Sequence, residues 1–278
     1  SFTPTEQQGP GTYSATVRVS DAAGLFSTAS FGISVNEDST IDAGPQAGDG
    51  SADTFRLVRN GANLQGFLNG ALVFVRSFDT VPLVSINGST DDDTLIVDLS
   101  GGNPIPAAGI AYDGRGAGDH DTLTLTGGSV GSLLYTTTGP GSGTVSVDGK
   151  LITYSNLEPI HDDLVVANRV FGFGGGDDTI NVDVGGTRTV VSSPSSESVD
   201  FVNPGAGGTQ PILPTTGSTI TDAIRGPCAA NACSSASTEL KGSAIVVSQK
   251  AAGTPCVSAI PSVAMPEPAF TSSESTWP

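Results

Sequence analysis

The chain reads as an all-β protein of short strands joined by glycine-rich corners, and three observations carry that reading. Thr, Val, Ser and Asp accompany 37 glycines and 18 prolines in 278 residues, the vocabulary of strands and tight turns. No window holds the apolar period of an amphipathic helix. One phrase also recurs: a glycine-rich turn, then aspartates, then an alternating strand. It is clearest in Phe173-Gly-Gly-Gly-Asp-Asp-Thr-Ile-Asn-Val-Asp-Val184, where Ile180, Val182 and Val184 share one face. Copies run from Asn87 to Val97 and from Asp113 to Leu125, with a weaker one from Asp49 to Leu57. Their last aspartates, Asp93, Asp121 and Asp178, stand 28 and then 57 residues apart, as though one copy had been lost between. Repetition of a turn-plus-strand unit predicts a stacked architecture.

Taken in order, residues 9–36 predict a hairpin. Tyr13, Ala15, Val17 and Val19 alternate, Asp21 to Gly24 turn the chain, and Ala29, Phe31, Ile33 and Val35 alternate again. Residues 37–50 are polar and read as a linker. Strands near 53–59, 62–68 and 71–76 follow, with Asn60-Gly61 and Asn69-Gly70 as turns. From Val81 to Val191 come strands of five to seven residues, including a hairpin turning at Asp148-Gly149. Short strands with glycine corners predict a β-solenoid-like module, a parallel β-helix, over residues 51–203. A β-sandwich uses the same strands, and periodicity does not separate the two.

Residues 204–278 lose the pattern. They are rich in Ala, Ser, Thr and Pro, and read as a low-complexity tail, either disordered or out of frame. The net charge is −17, and 24 of the 28 acidic residues but 8 of the 11 basic ones precede residue 204. Such a surface repels phosphates and anionic lipid, which excludes nucleic-acid partners and direct membrane insertion. Divalent cations are its natural counterparts; solubility is the competing explanation. Cys228, Cys233 and Cys256 all lie in the tail, and a cysteine-free body fits a bacterial exported protein better than a disulfide-stapled one. The chain starts mid-phrase, without Met, signal peptide or transmembrane run, and reads as a fragment of a longer protein.

The phrases Gly11-Thr-Tyr13, Val19-Ser-Asp21 and Gly24 resemble the closing hairpin of PKD, cadherin-like and other immunoglobulin-type modules. That resemblance implies that residues 1–36 are the C-terminal hairpin of a truncated sandwich. Residues 49–203 resemble a repeated module of very large bacterial surface and secreted proteins. The phrases that carry it are Arg59-Asn-Gly-Ala-Asn-Leu64, Asp93-Thr-Leu-Ile-Val97, Ser100-Gly-Gly-Asn-Pro-Ile-Pro106, Thr138-Gly-Pro-Gly-Ser-Gly-Thr144 and Leu157-Glu-Pro-Ile160. It implies adhesion or surface architecture, an extracellular or cell-surface location, and no enzymatic residues. The implied partners are other domains of the same long chain, surface glycans or other cells.

Calcium is the candidate cofactor. The phrase at Phe173 is similar to the hemolysin-type repeat G-G-x-G-x-D-x-U-x, in which turn aspartates supply hard oxygen ligands. The candidate metal ligands are Asp91, Asp93, Asp119, Asp121, Asp177 and Asp178. No two copies follow in tandem at nine residues, so turn and capping roles compete with ligation. No catalytic set is identified. Gly127-Gly-Ser-Val-Gly131 matches a nucleophile elbow, with Asp148 and His161 in hydrolase order, but a strand-like run follows where the elbow requires a helix. A polysaccharide lyase or glycosidase on a β-helix is the rival from another class. It wants carboxylates against arginine or aromatic platforms, yet Arg115, Arg169 and Arg188 are scattered and Trp277 lies in the tail. A carbohydrate-binding module would draw on Phe67, Phe74 and Phe78. The expectation is a non-catalytic structural or adhesive segment, stabilised by calcium.

Overall fold

A computed structural model describes residues 11–35, 39–42, 49–116, 120–173, 180–185, 187–203, 209–214, 219–220, 240–241, 244–249 and 255–260. The described residues are all-β, with helical geometry confined to the single 3-10 turn Phe78–Thr80. No described helix is long and apolar enough to cross a membrane. Two compact units divide the chain, residues 1–40 and 41–278.

In the first unit β1 (Gly11–Ser20) and β2 (Phe26–Val35) form an antiparallel hairpin with Val17 opposite Ala29. The Asp21 carboxylate accepts the Ala23 and Leu25 N–H groups at 2.9 Å each and so closes the turn. Val17, Val19 and Phe31 are exposed.

The second unit opens within β3 (Thr40–Asp42), whose first residue is the last of the first unit, and goes on with β4 (Thr54–Asn60), β5 (Asn63–Leu68), β6 (Ala71–Ser77), β7 (Val84–Asn87) and β8 (Thr94–Asp98). It continues with β9 (Ile110–Asp113), β10 (Thr122–Thr126), β11 (Ser129–Gly139), β12 (Ser142–Val147), β13 (Lys150–Ser155) and β14 (Ile160–Asp162). After these come β15 (Val165–Gly172), β16 (Asn181–Gly185), β17 (Arg188–Ser193), β18 (Ser196–Val202) and β19 (Thr209–Pro214). The last are β20 (Thr219–Ile220), β21 (Leu240–Lys241), β22 (Ala244–Gln249) and β23 (Pro255–Ile260).

A nine-stranded sheet has the order β16-β17-β18-β14-β10-β8-β4-β5-β6, and a ten-stranded sheet the order β23-β22-β19-β15-β11-β12-β13-β9-β7-β3. From β7 to β11 the chain changes sheet with every strand. In the first sheet β4, β8, β10, β14 and β18 run parallel and in register. Phe55, Leu95, Leu123, Ile160 and Val199 therefore lie side by side, as do Leu57, Val97, Leu125, Asp162 and Phe201. Strict alternation within each strand becomes continuous inward stripes once the strands stack in register. Val84, Ile110 and Ile152 form the matching stripe on the second sheet.

Both sheets feed one core. Phe55 meets Tyr112 edge-on at 6.5 Å between ring centroids, and Phe171 meets Phe201 at 6.3 Å. Each such side chain contributes about 1.5–3 kcal/mol when removed from water. The hairpin turns stand where turn chemistry predicts them. Asn69 and Gly70 (φ 50° and 77°) and Asp148 and Gly149 (φ 49° and 81°) adopt the left-handed pairs that favour tight hairpins.

The structure corrects the expected repeat. The phrase at Phe173 leads into β16, which pairs antiparallel with β17 at the sheet's edge and does not join the parallel column. That column continues through β14 and β18 instead. Among the described residues, the turn from Asp93 to Asp121, 28 residues long, carries no inserted hairpin strands. The others carry β5–β6, β11–β12 or β16–β17, so the 57-residue interval is not two plain turns. Beyond residue 204, where no pattern was expected, β19 lies parallel to β15, and β22 and β23 follow antiparallel.

Candidate functional site: a buried acidic column and the cavity beyond it

The Gly–Asp phrase takes on physical meaning at the corners between the sheets. After β7 the chain passes Gly88 and reaches Asp93 before β8; after β9 it passes Gly114 and reaches Asp121 before β10. Asp93 is 0% and Asp121 1% exposed. The Asp121 carboxylate accepts the backbone N–H of Asp93 at 2.8 Å, and the Asp93 carboxylate accepts that of Asp53 at 2.8 Å. The other Asp93 oxygen accepts the Ser89 N–H at 2.6 Å. Each aspartate thus pins the turn before it.

The glycines leave room for this. A Cβ on Gly114 would stand 2.1 Å from an Asp121 carboxylate oxygen, and one on Gly88 2.7 Å from Asp93. At the far end Asn69, from the β5–β6 turn, takes the place of a further turn. Its amide donates to Asp53 at 2.6 Å and accepts the Thr54 N–H at 2.8 Å. Burial raises the Asp93 pKa, with the N–H bonds from Asp53 and Ser89 opposing it.

The six candidate calcium ligands divide. Asp93 and Asp121 come together in this column. Asp91, half-buried, accepts the Gly50 N–H at 2.9 Å. Asp119, Asp177 and Asp178 lie outside the described residues. Among the described residues, no group of three or more His, Cys, Asp or Glu side chains is placed to hold a metal ion.

A second set of charges was not anticipated. Asp162 occupies an inward position in the apolar stripe, fully buried. It accepts bonds from Arg169 Nε at 2.7 Å and the Tyr135 hydroxyl at 2.8 Å, while Arg169 also donates to the Leu164 carbonyl at 2.8 Å. Burial, and next the Asp162 charge, push the Tyr135 hydroxyl well up. Ile160, Asp162 and Leu164 alternate, so an inward aspartate was readable from parity alone.

On the outer face Arg188 bridges Asp163 at 2.5 Å and Asp200 at 2.6 Å, and His161 also pairs with Asp200. Burial of Asp200 is outweighed by its bonds to Arg188 and His161, which hold its pKa down. Arg169 and Arg188 are thus gathered around β14, not scattered. Each charge in these two sets has an opposite partner.

The residues of the other motifs have structural partners. Ser129 opens β11 and is exposed, while Asp148 accepts the Gly131 and Ser132 N–H groups at 2.9 and 2.8 Å. Phe74 is buried; Phe67 and Phe78 lie under the guanidinium groups of Arg56 and Arg59, at 5.6 and 4.0 Å.

Beyond the column, in line with Val199, lies Glu197, which no motif signals. It is 5% exposed and lines a cavity of about 20 Å³ with Tyr135, Thr137, Tyr154, Phe171 and Phe173. One carboxylate oxygen accepts the Gly141 N–H from the β11–β12 turn; the other is buried without a hydrogen-bond partner among the described residues. Burial, with Glu158 adding to it, pushes the Glu197 pKa up to about 7. Tyr154 is also raised, first by burial and then by the Glu197 charge.

Comparison with known proteins yields no match among protein-family models, curated proteins or solved structures.

Proposed function

We propose that residues 51–203 form a β-solenoid-like stack that serves as a non-catalytic structural or adhesive segment of a large exported surface protein. The observation that carries this reading is the chain of bonds from Asp121 to the Asp93 N–H and from Asp93 to the Asp53 N–H. It ties each turn to the one before by a device that can be repeated. A stack of this kind grows in length without a larger core, because each turn touches only its neighbours. Register-matched parallel strands and alternation between two sheets support the solenoid over a sandwich. The acidic surface keeps such an element soluble and suits divalent cations. Calcium ligation in this reading rests on Asp91, Asp119, Asp121, Asp177 and Asp178, since both oxygens of Asp93 are engaged by backbone N–H groups.

The test is incubation of the full chain with acidic and neutral polysaccharides, alongside binding to immobilised glycans and whole cells. Saturable binding without cleavage supports the adhesive role, and neither binding nor cleavage supports a plain spacer. Release of reducing or unsaturated ends that scales with protein concentration would overturn the non-catalytic reading.

A further inference from the structure

Glu197 poses a problem of charge that its surroundings leave unsolved. Its side chain is almost wholly buried, one oxygen bonds the Gly141 N–H, and the second has no hydrogen-bond partner among the described residues, while the backbone at Ser142 gives the carboxylate some further support. Glu158 adds repulsion. An ionised carboxylate left this way costs several kcal/mol unless a counter-charge joins it. The cavity it lines is about 20 Å³, room for one water-sized group. Aromatic side chains form much of the wall: Tyr135, Tyr154, Phe171 and Phe173, with Tyr135 and Phe171 stacked at 4.9 Å.

We propose that this cavity is a binding site for an ammonium ion, held by the unpaired oxygen of Glu197. The size of the cavity selects a group no larger than water. The sign of the charge selects a cation. The lining selects among cations: calcium requires 6–8 oxygen ligands, whereas Glu197 is the one carboxylate among the described lining residues and much of the wall is aromatic. Ammonium needs only a few directed acceptors. Glu197 supplies one, and the Tyr135, Thr137, Tyr154 and Ser196 hydroxyl groups are the other polar side-chain groups among the described residues of the lining. Ammonium is also nearly isosteric with water, so it enters without rearranging the aromatic wall. This site is independent of the spacer reading and uses none of the Asp53–Asp93–Asp121 column.

The experiment is a thermal melt of the full chain at a pH above the Glu197 titration. Ammonium, potassium, sodium and tetramethylammonium chlorides are compared at equal ionic strength. A saturable rise in midpoint of about 5 °C or more, given by ammonium but not by tetramethylammonium or sodium, is the expected result. Glu197→Gln abolishes that rise, because the amide keeps an acceptor for the Gly141 N–H and loses the charge. If Glu197→Gln does not fold, the wild-type chain with 15N-labelled ammonium decides. Magnetisation transfer from bound ammonium protons to the Tyr135 or Tyr154 ring supports the site, and its absence overturns it. Equal responses to all four salts, no response to any, or a response that survives in Glu197→Gln would also overturn it, leaving a buried water beside a neutral carboxyl.

Discussion

Asp121 accepts the backbone N–H of Asp93 at 2.8 Å across 28 residues of chain, and both side chains are buried. A carboxylate placed here fixes the register between two turns, because a slip of one residue would turn every inward side chain outward. Asp93 and Asp121 therefore act on the backbone, as acceptors of N–H groups.

Replacing Asp93 with Asn sets an amide donor against one of two N–H groups, those of Asp53 and Ser89. The loss is about 1–3 kcal/mol, which lowers the melting midpoint by several degrees. An unchanged midpoint in a calorimetric scan would remove the pinning role.

The corner glycine is open to a steric test. Gly114→Ala places a Cβ 2.1 Å from an Asp121 oxygen and 2.2 Å from the Asn156 carbonyl oxygen, which belongs to the backbone. A destabilisation of about 1–3 kcal/mol follows. Gly139→Ala, whose Cβ meets nothing within 4 Å, is the control and stays near wild type.

Arg169→Met strands Asp162 as a buried charge and costs about 3–5 kcal/mol. The double variant Arg169→Met with Asp162→Leu recovers much of that loss, since the stripe around Asp162 is otherwise apolar. Denaturant titrations of both variants give the comparison, and equal loss in the two would refute the account.

Glu197 sets a pH dependence with a definite sign. Its folded pKa, about 7, lies above the ordinary value of 4.5. Its contribution is therefore fully present below about pH 4.5 and is lost as the pH rises through 7, on the order of 3 kcal/mol in all. Asp200 runs the other way: its pKa is held down, so its contribution disappears on acidification through that lowered value. Stability curves of wild type and Glu197→Gln should differ between pH 4.5 and 7, and coincident slopes there would exclude the effect.

Calcium gives a further test. Asp93→Asn lowers the midpoint equally in calcium and in excess chelator, because its oxygens hold N–H groups. A loss seen only in calcium would instead make Asp93 a ligand. A calcium-specific rise abolished by Asp119→Asn or by Asp177→Asn with Asp178→Asn would assign the ion to those turns.

The chain's local chemistry determined the all-β class and the turns at Asn69-Gly70 and Asp148-Gly149. Left-handed backbone pairs are selected by the residues that occupy them. It also determined the inward faces of Phe55 and Leu57, Leu95 and Val97, and Leu123 and Leu125, because alternation is a property of one strand. Tertiary structure alone decided which strands stand side by side. The best copy of the phrase ends at an antiparallel edge, whereas Ile160–Asp162 and Ser196–Val202, which carry no such phrase, extend the parallel column. Parallel pairing joins segments separated by inserted hairpins, and the length of an insertion leaves no mark on the strands it separates. The same holds for Glu197 and Gly141, and for Asp162 with Arg169 and Tyr135: their partners are set by stacking, not by spacing along the chain.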